Sequence, residues 1–146
     1  MQIFAVDVSP YNSALYLKEH GDYKRIIKMI LESAQMLSTN AHVLGYHELG
    51  PYKPTHKNHP CTKWARETRG NANWLLRYMV HLSIMYTDKY HREHKTIREH
   101  LGVLALAVKK VPEGELTPFA NCSGGDSGDV CTDYKDLLYR KWNAVA

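Results

Sequence analysis

The sequence predicts an all-α fold: a compact single-domain bundle of about four to five helices with long irregular loops, over residues 1–146. Three observations predict it. The chain has 146 residues, which suits one domain of ordinary size. Apolar residues recur at three- and four-residue intervals in several long windows, as they do along one face of a helix. Most glycines and prolines fall between these windows, where loops are expected.

Two helices are predicted near the N terminus. The apolar stretch IFAVDV suits a short strand or an extended arm. Ser9 and Pro10 after it match an N-cap followed by proline in the first turn, which predicts a helix over residues 10–19. The stretch DYKRIIKMILESAQMLST then predicts a second helix over residues 22–38, because it carries an apolar stripe of Ile26, Ile30, Ala34 and Leu37.

The remaining helices alternate with irregular segments. Residues 40–62 contain five glycines and prolines, so a long irregular connection is expected, followed by one or two helical turns over residues 64–69. Helical spacing returns in NANWLLRYMVHLSIMYTDKY and in HREHKTIREHLGVLALAVKK, which predict two long helices. Residues 112–132 are rich in Gly, Ser and Asp and predict an exposed, mobile loop. The stretch DYKDLLYRKW predicts a final helix.

Composition narrows the class of protein. No window has the apolar length of a membrane span, and the N terminus lacks a basic region followed by an apolar one, so we expect a cytoplasmic protein with no membrane partner. Cys61, Cys122 and Cys131 have no CxxC spacing, which indicates reduced thiols rather than a disulfide framework or a zinc site. The histidine-rich stretch HREHKTIREH lacks the HExxH order. We therefore predict no metal and no cofactor, and the oligomeric state stays open.

One face of the second predicted helix carries a candidate site. Arg25, Lys28, Glu32 and Gln35 follow one another at three- and four-residue intervals opposite the apolar stripe, so they share a face. A carboxylate held among cations and amides stabilises a developing cation or handles a proton or a water molecule. Glu32 is therefore the candidate catalytic residue. A solvated helix face explains the same spacing, and this alternative stays open.

The segment YKPTHKNHPCTKWARETRG, which begins at Tyr52, is the second part of the candidate site. Between residues 51 and 77 six lysines and arginines accompany the single acid Glu67. Basic side chains interleaved with histidines and aromatic residues suit phosphate pairing and stacking on a base, although a solvated loop is again the alternative. Besides Arg25, Lys28 and Gln35, the predicted phosphate- or nucleotide-binding residues are Lys53, Thr55, His56, Asn58, His59, Trp64, Arg66 and Asn71.

Three stretches, IIKMILESAQMLS, YKPTHKNHPCTKWARETRGNANWLL and YKDLLYRKW, are similar to a family of small phage and bacterial proteins of poorly settled function. The similarity runs from Phe4 to Trp142. These proteins more distantly resemble the pyrimidine-dimer DNA glycosylases of the endonuclease V type, which are compact helical domains with a catalytic glutamate on an early helix and an HP loop before a long helix. The resemblance implies cleavage of an N-glycosidic bond in DNA, in the cytoplasm of an infected bacterial cell. Glu32 is the matching glutamate, flanked by Arg25 and Lys28.

The N terminus departs from the glycosylase pattern. In those enzymes the α-amine of a processed N-terminal residue attacks the sugar C1′. Here Met1 precedes Gln2, a bulky residue before which the initiator methionine is normally retained, so an amine nucleophile of the usual kind is not expected. Glu32-assisted hydrolysis and simple DNA binding both remain open.

Two further functions from other classes remain open, and the first of them uses the same residues. One is a phage anti-defence protein that sequesters or cleaves a free cyclic nucleotide immune signal in a cationic, aromatic pocket. The other is an interaction protein that binds a host factor through residues 112–132. The net charge of +4 is modest, and it favours an anionic partner without deciding between a DNA strand and a free nucleotide.

Overall fold

The computed structural model describes residues 1–144, and all the regular structure in that range is helical. This confirms the all-α prediction, although the described residues form six α-helices rather than four to five. A short 3₁₀ turn at His47–Leu49 lies between the second and third of them. The helices are α1 (Pro10–Glu19), α2 (Tyr23–Val43), α3 (Pro60–Glu67), α4 (Arg69–Tyr90), α5 (Lys95–Val108) and α6 (Val130–Asn143).

Helix α3 accounts for the difference in number, because the sequence predicted only one or two turns there. It begins at Pro60, and the preceding His59 caps it by accepting a hydrogen bond of 3.1 Å from the Cys61 N–H. It ends at Glu67, and the next residue, Thr68, has an extended backbone with φ −138° and ψ 153°. The Thr68 hydroxyl then caps α4 by accepting a hydrogen bond of 3.1 Å from the Asn71 N–H. One extended threonine thus divides this stretch into two helices.

Helix α2 is longer than predicted, since it continues past Ser38 to Val43. Its last turns include Ser38, Thr39 and Asn40, all buried. Polar residues at the end of an apolar pattern favour a loop when the sequence is considered alone. In the fold they stay helical because their side chains find partners in the segment that follows the helix.

The core is built around α2 and α4, which make the most extensive helix contact. Ile26, Met29 and Ile30 of α2 and Leu75 and Met79 of α4 are fully buried in one hydrophobic cluster. Such burial contributes roughly 1.5–3 kcal/mol for each large apolar side chain. The other helices pack around this pair. No helix of residues 1–144 is both long and apolar enough to cross a bilayer.

The N-terminal segment is an extended arm rather than a strand. Residues 3–6 are buried in the hydrophobic cluster. Phe4 has a φ of +42°, a conformation that a bulky residue rarely adopts. The Trp74 indole on α4 donates a hydrogen bond of 2.8 Å to the Val8 carbonyl at the end of the arm. The arm is therefore held inside the fold, which determines where Met1 lies.

The segment between α5 and α6 has no helix or strand, as predicted, and it is attached to the start of α4. The Arg69 and Gly70 N–H groups donate to the Pro112 and Gly114 carbonyls at 2.8 and 2.9 Å. A Cβ atom at Gly70 would lie 2.5 Å from the Leu116 nitrogen, so only glycine allows this approach. The mobility of residues 112–132 stays a prediction.

Candidate functional site

Glu32 lies between two positive groups. Its Oε1 is 3.7 Å from the Met1 nitrogen, and its Oε2 is 3.6 Å from the Lys28 Nζ. The Glu32 side chain is 13% exposed and the Met1 side chain 3%, whereas the Lys28 side chain is 69% exposed. The carboxylate is therefore shared between an amino group held by the fold and a solvated lysine. The sequence predicts no amine nucleophile of the usual kind, yet the fold brings the Met1 amine next to Glu32, the predicted catalytic residue.

The position of Met1 follows from the arm behind it. Residues 3–6 are buried, and the Gln2 Nε2 donates a hydrogen bond of 2.7 Å to the Cys122 carbonyl. This bond joins the arm to the irregular segment before α6, 120 residues further along the chain. Two segments without regular secondary structure thus hold each other beside Glu32.

The loop after α2 is fastened to the buried polar residues at the end of that helix. Thr39 exchanges two hydrogen bonds with Thr55: its hydroxyl donates to the Thr55 carbonyl at 3.1 Å and accepts from the Thr55 N–H at 3.0 Å. Ser38 makes the same pair of bonds with the backbone of Tyr52, at 3.1 and 2.9 Å. Glu32 and Thr39 are seven residues apart, two helical turns, and therefore share a face. The loop is attached along the face that carries Glu32.

His59 lies close enough to Glu32 and Met1 for their charges to act on it. Burial lowers the pKa of His59 below its ordinary value, and the positive N terminus and His56 lower it further, while the Glu32 carboxylate opposes them. Because Nδ1 accepts the Cys61 N–H, the neutral ring carries its proton on Nε2. At neutral pH the site thus contains an uncharged imidazole with an N–H donor.

Several of the other predicted binding residues remain exposed. Lys53, His56 and Asn58 are exposed in the loop, while Gln35 is half-buried on α2. Thr55 is half-buried, and its hydroxyl pairs with the His56 Nδ1 at 2.7 Å. His56 has a φ of +51° in this turn. These residues are accessible to a ligand.

Two predicted cations are engaged within the protein. The Arg25 guanidinium donates to Asp22 at 2.7 Å. The Arg66 guanidinium donates to the Lys57 carbonyl at 2.6 Å and to the Asn40 Oδ1 at 3.2 Å. Their hydrogen bonds hold the start of α2 and the loop before α3, so each has fewer donors to offer a phosphate.

Trp64 and Asn71 are part of the interior. Trp64 is 2% exposed and packs against Trp74 and Phe119, so neither of its faces is open for a base to stack on. Asn71 is fully buried, and it donates to the Trp64 carbonyl at 2.9 Å and to the Thr117 hydroxyl at 2.8 Å. Both residues hold α3 and the segment before α6 in place, and their predicted contact with a ligand stays a prediction.

The sequence analysis missed a pair of cysteines beside this site. The Cys61 and Cys122 sulfur atoms are 2.9 Å apart, and with a His59 ring nitrogen they form three potential ligand atoms within 4.8 Å of one another. Two thiolates bound to one tetrahedral zinc lie about 3.8 Å apart, given Zn–S bonds of about 2.3 Å. In addition, the His59 Nδ1 already accepts a backbone hydrogen bond. The arrangement therefore fits a thiol pair better than a metal centre.

A buried tyrosine hydroxyl was also missed. The Tyr78 side chain on α4 is fully buried, and its hydroxyl has no hydrogen-bond partner among residues 1–144. Burial raises the pKa of Tyr78, and the nearby carboxylates of Glu32 and Asp22 raise it further, so it stays a neutral phenol. Its position among apolar residues of α4 gave no signal in the sequence beyond a place in the core.

Two cavities elsewhere in the fold do not include the site residues. One of about 550 Å³ lies between α4 and α5 and is lined by residues such as Ile84, Ile97 and Leu101. Another of about 430 Å³ lies beside α6, next to Asp126 and Asp133. Neither is lined by Glu32, His59 or the loop after α2.

Comparison with known proteins identifies no similar protein. The chain matches no protein-family model, no curated protein and no solved structure. The resemblance described above stays a prediction.

Proposed function

We propose that this protein binds DNA and cleaves an N-glycosidic bond, with the Met1 amine and the Glu32 carboxylate as the reacting pair. The observation that carries the proposal is the distance of 3.7 Å between the Met1 nitrogen and the Glu32 Oε1. An amine beside a carboxylate is the combination that amine-nucleophile glycosylases require. Here the two groups come from residues that are 31 positions apart in the sequence.

The chemistry assigns each group one role. The Met1 ammonium first gives one proton to water. The free amine then forms a bond to the sugar C1′ while the C1′–N bond to the base breaks, and the base leaves with the bonding electrons and takes up a proton from water. Glu32 accepts the proton lost by the amine and stabilises the positive charge that develops on the sugar. The C1′–O4′ bond then breaks as Glu32 returns its proton to the ring oxygen, which leaves a protonated imine between Met1 and C1′. Water hydrolyses this imine, which releases the amine and leaves an aldehyde at C1′. Borohydride reduces this imine to a stable amine, so the intermediate is open to trapping.

Exposed lysines supply the attraction for DNA in this proposal. Lys28 beside Glu32 and Lys53, Lys57 and Lys63 around the loop are all exposed. If each neutralises one phosphate, the logarithm of the binding constant should fall with the logarithm of the salt concentration with a slope of about −3 to −4. Four separate lysines are enough for a slope in this range, so no long run of basic residues is required. This agrees with the modest net charge of +4.

The test measures trapped complex and base release from duplex oligonucleotides that contain a pyrimidine dimer or another damaged base. The wild type is compared with Glu32→Gln, which keeps the size of the side chain and removes its charge. The matched control is Glu48→Gln, an exposed glutamate in the 3₁₀ turn. We expect Glu32→Gln to be slower by about 10²–10⁴-fold, the usual contribution of a proton-transferring group, and Glu48→Gln to match the wild type.

The role of the amine needs its own arm of the experiment. Intact mass measurement establishes whether Met1 is the first residue of the purified protein and carries a free amine. Selective acetylation of that amine should abolish borohydride trapping. No base release from any damaged or modified duplex would overturn the enzymatic proposal. Nucleotide binding by calorimetry with little salt dependence would instead favour the free-nucleotide alternative.

A further inference from the structure

We propose that Cys61 and Cys122 form a redox pair, in which a peroxide oxidises Cys122 and Cys61 then closes a disulfide with it. The pair is separate from the proposed DNA chemistry, since it needs neither DNA nor Glu32. It lies next to that site because Cys61 follows His59 in the first turn of α3 and the Cys122 carbonyl holds Gln2.

The sulfur atoms are already close to bonding distance. They are 2.9 Å apart, with the Cys61 S–H donating to the Cys122 sulfur. A disulfide bond measures about 2.0 Å, so the two atoms need to approach by only roughly 0.9 Å. We therefore expect the bond to close with small side-chain movements. The two cysteines are 61 positions apart in the sequence, which explains why no local pattern revealed the pair.

Burial assigns different roles to the two thiols. Cys122 is half-buried and is therefore more accessible to a small oxidant than Cys61, which is fully buried. The hydrogen bond from Cys61 lowers the pKa of Cys122 to about 7, despite partial burial, with help from the Tyr134 hydroxyl and the positive N terminus. The hydrogen bond to Cys122 and burial raise the pKa of Cys61. Cys122 is therefore the thiolate that attacks, and Cys61 is the protonated partner that resolves.

The reaction balances with a peroxide as the oxidant. With hydrogen peroxide, the Cys122 thiolate attacks one oxygen, the O–O bond breaks, and hydroxide leaves as a sulfenic acid forms. The Cys61 sulfur then attacks the sulfenic sulfur, the S–O bond breaks, and the departing hydroxide takes the Cys61 proton as water. Two thiols are oxidised to one disulfide, and one peroxide is reduced to two water molecules.

Cys131 supplies a control within the same chain. It is half-exposed like Cys122, but burial and the nearby Asp129 and Asp7 carboxylates raise its pKa above the ordinary 9.0. At pH 7.5 a larger fraction of Cys122 than of Cys131 is therefore thiolate. The lower intrinsic nucleophilicity of a more acidic thiol reverses part of this advantage. We expect Cys122 to react several-fold faster than Cys131.

The experiment treats the reduced, full-length protein with one equivalent of hydrogen peroxide and follows free thiols and intact mass. We expect two of the three thiols to disappear with a loss of 2 Da, and peptide mapping to join Cys61 to Cys122. Cys131→Ser should behave in the same way. Cys61→Ser should accumulate a sulfenic acid at Cys122 that dimedone captures, and Cys122→Ser should protect Cys61 from oxidation.

Three results would overturn the inference. Oxidation of Cys131 as fast as Cys122 shows that the pair has no special reactivity. Retention of both the Cys61 and Cys122 thiols after treatment, in protein that circular dichroism shows to be folded, excludes the disulfide. A stoichiometric zinc ion in the purified protein that blocks oxidation identifies the cluster as a metal site instead.

Discussion

Formation of the Cys61–Cys122 disulfide should raise the free energy of unfolding. The bond would join residues 61 positions apart and would restrict the unfolded chain over that whole distance. The loop-entropy relation gives about 4 kcal/mol for a loop of this length. Some of this is lost to the small adjustment that brings the sulfurs together, so we expect a measured gain of about 2–4 kcal/mol.

Urea unfolding of the oxidised and reduced protein, followed by circular dichroism, measures this gain. The oxidised form should also show a smaller m value, because a cross-linked unfolded chain exposes less surface. For a chain of this size the gain corresponds to a rise in Tm of roughly 10 °C. Cys131→Ser keeps the effect, and Cys61→Ser removes it. Equal stability of the two forms, or a gain that persists in Cys61→Ser, would show that the pair is strained or wrongly identified.

Two further predictions concern how the site is held. The Trp142 indole donates a hydrogen bond of 2.7 Å to the Asp22 carboxylate, so Trp142→Phe should destabilise the protein by about 1.5–3 kcal/mol in urea unfolding at pH 7. Burial raises the pKa of Asp22, but hydrogen bonds from Trp142 and Arg25 outweigh it and bring that pKa below its ordinary 3.8. The stabilisation is therefore present above about pH 4 and is lost as the pH falls through the lowered pKa of Asp22. If the difference in unfolding free energy between the wild type and Trp142→Phe stays constant down to pH 2, this assignment is wrong. Asn71→Ala removes three side-chain hydrogen bonds and should lower the free energy of unfolding by about 2–4 kcal/mol. The control is Asn73→Ala at a half-buried position, which should change it by less than about 0.5 kcal/mol. Similar decreases in both variants would refute the role given to Asn71.

The helices were predictable because their signals are local. Apolar spacing identified α2, α4 and α5, and Ser9 with Pro10 gave the start of α1. The errors occurred where tertiary contacts overrode local preference. The polar residues at the end of α2 stay helical because the following loop binds their side chains, and Thr68 separates α3 from α4 through a cap on each side.

The candidate site was predictable only in part. Glu32 and Lys28 lie one helical turn apart, so their pairing followed from spacing. The meeting of Glu32 with Met1, and of Cys61 with Cys122, depends on the paths of the arm and of the segment before α6. Neither segment has regular secondary structure, so no repeating apolar pattern in the sequence predicts its course. Trp64 was assigned to a binding surface because its neighbours are basic, but its side chain lies in the core.

The closeness of the Met1 nitrogen to Glu32 has a practical consequence for recombinant work. A purification tag fused before Met1, or a formyl group retained on it, converts the amine into an amide that has neither the charge to pair with Glu32 nor a basic lone pair. It also adds bulk beside a methionine side chain that is only 3% exposed. Protein prepared with an N-terminal tag would then lack the free amine on which the proposed reaction depends. Tags belong at the C terminus, and the removal of the formyl group is a maturation step to verify before any assay.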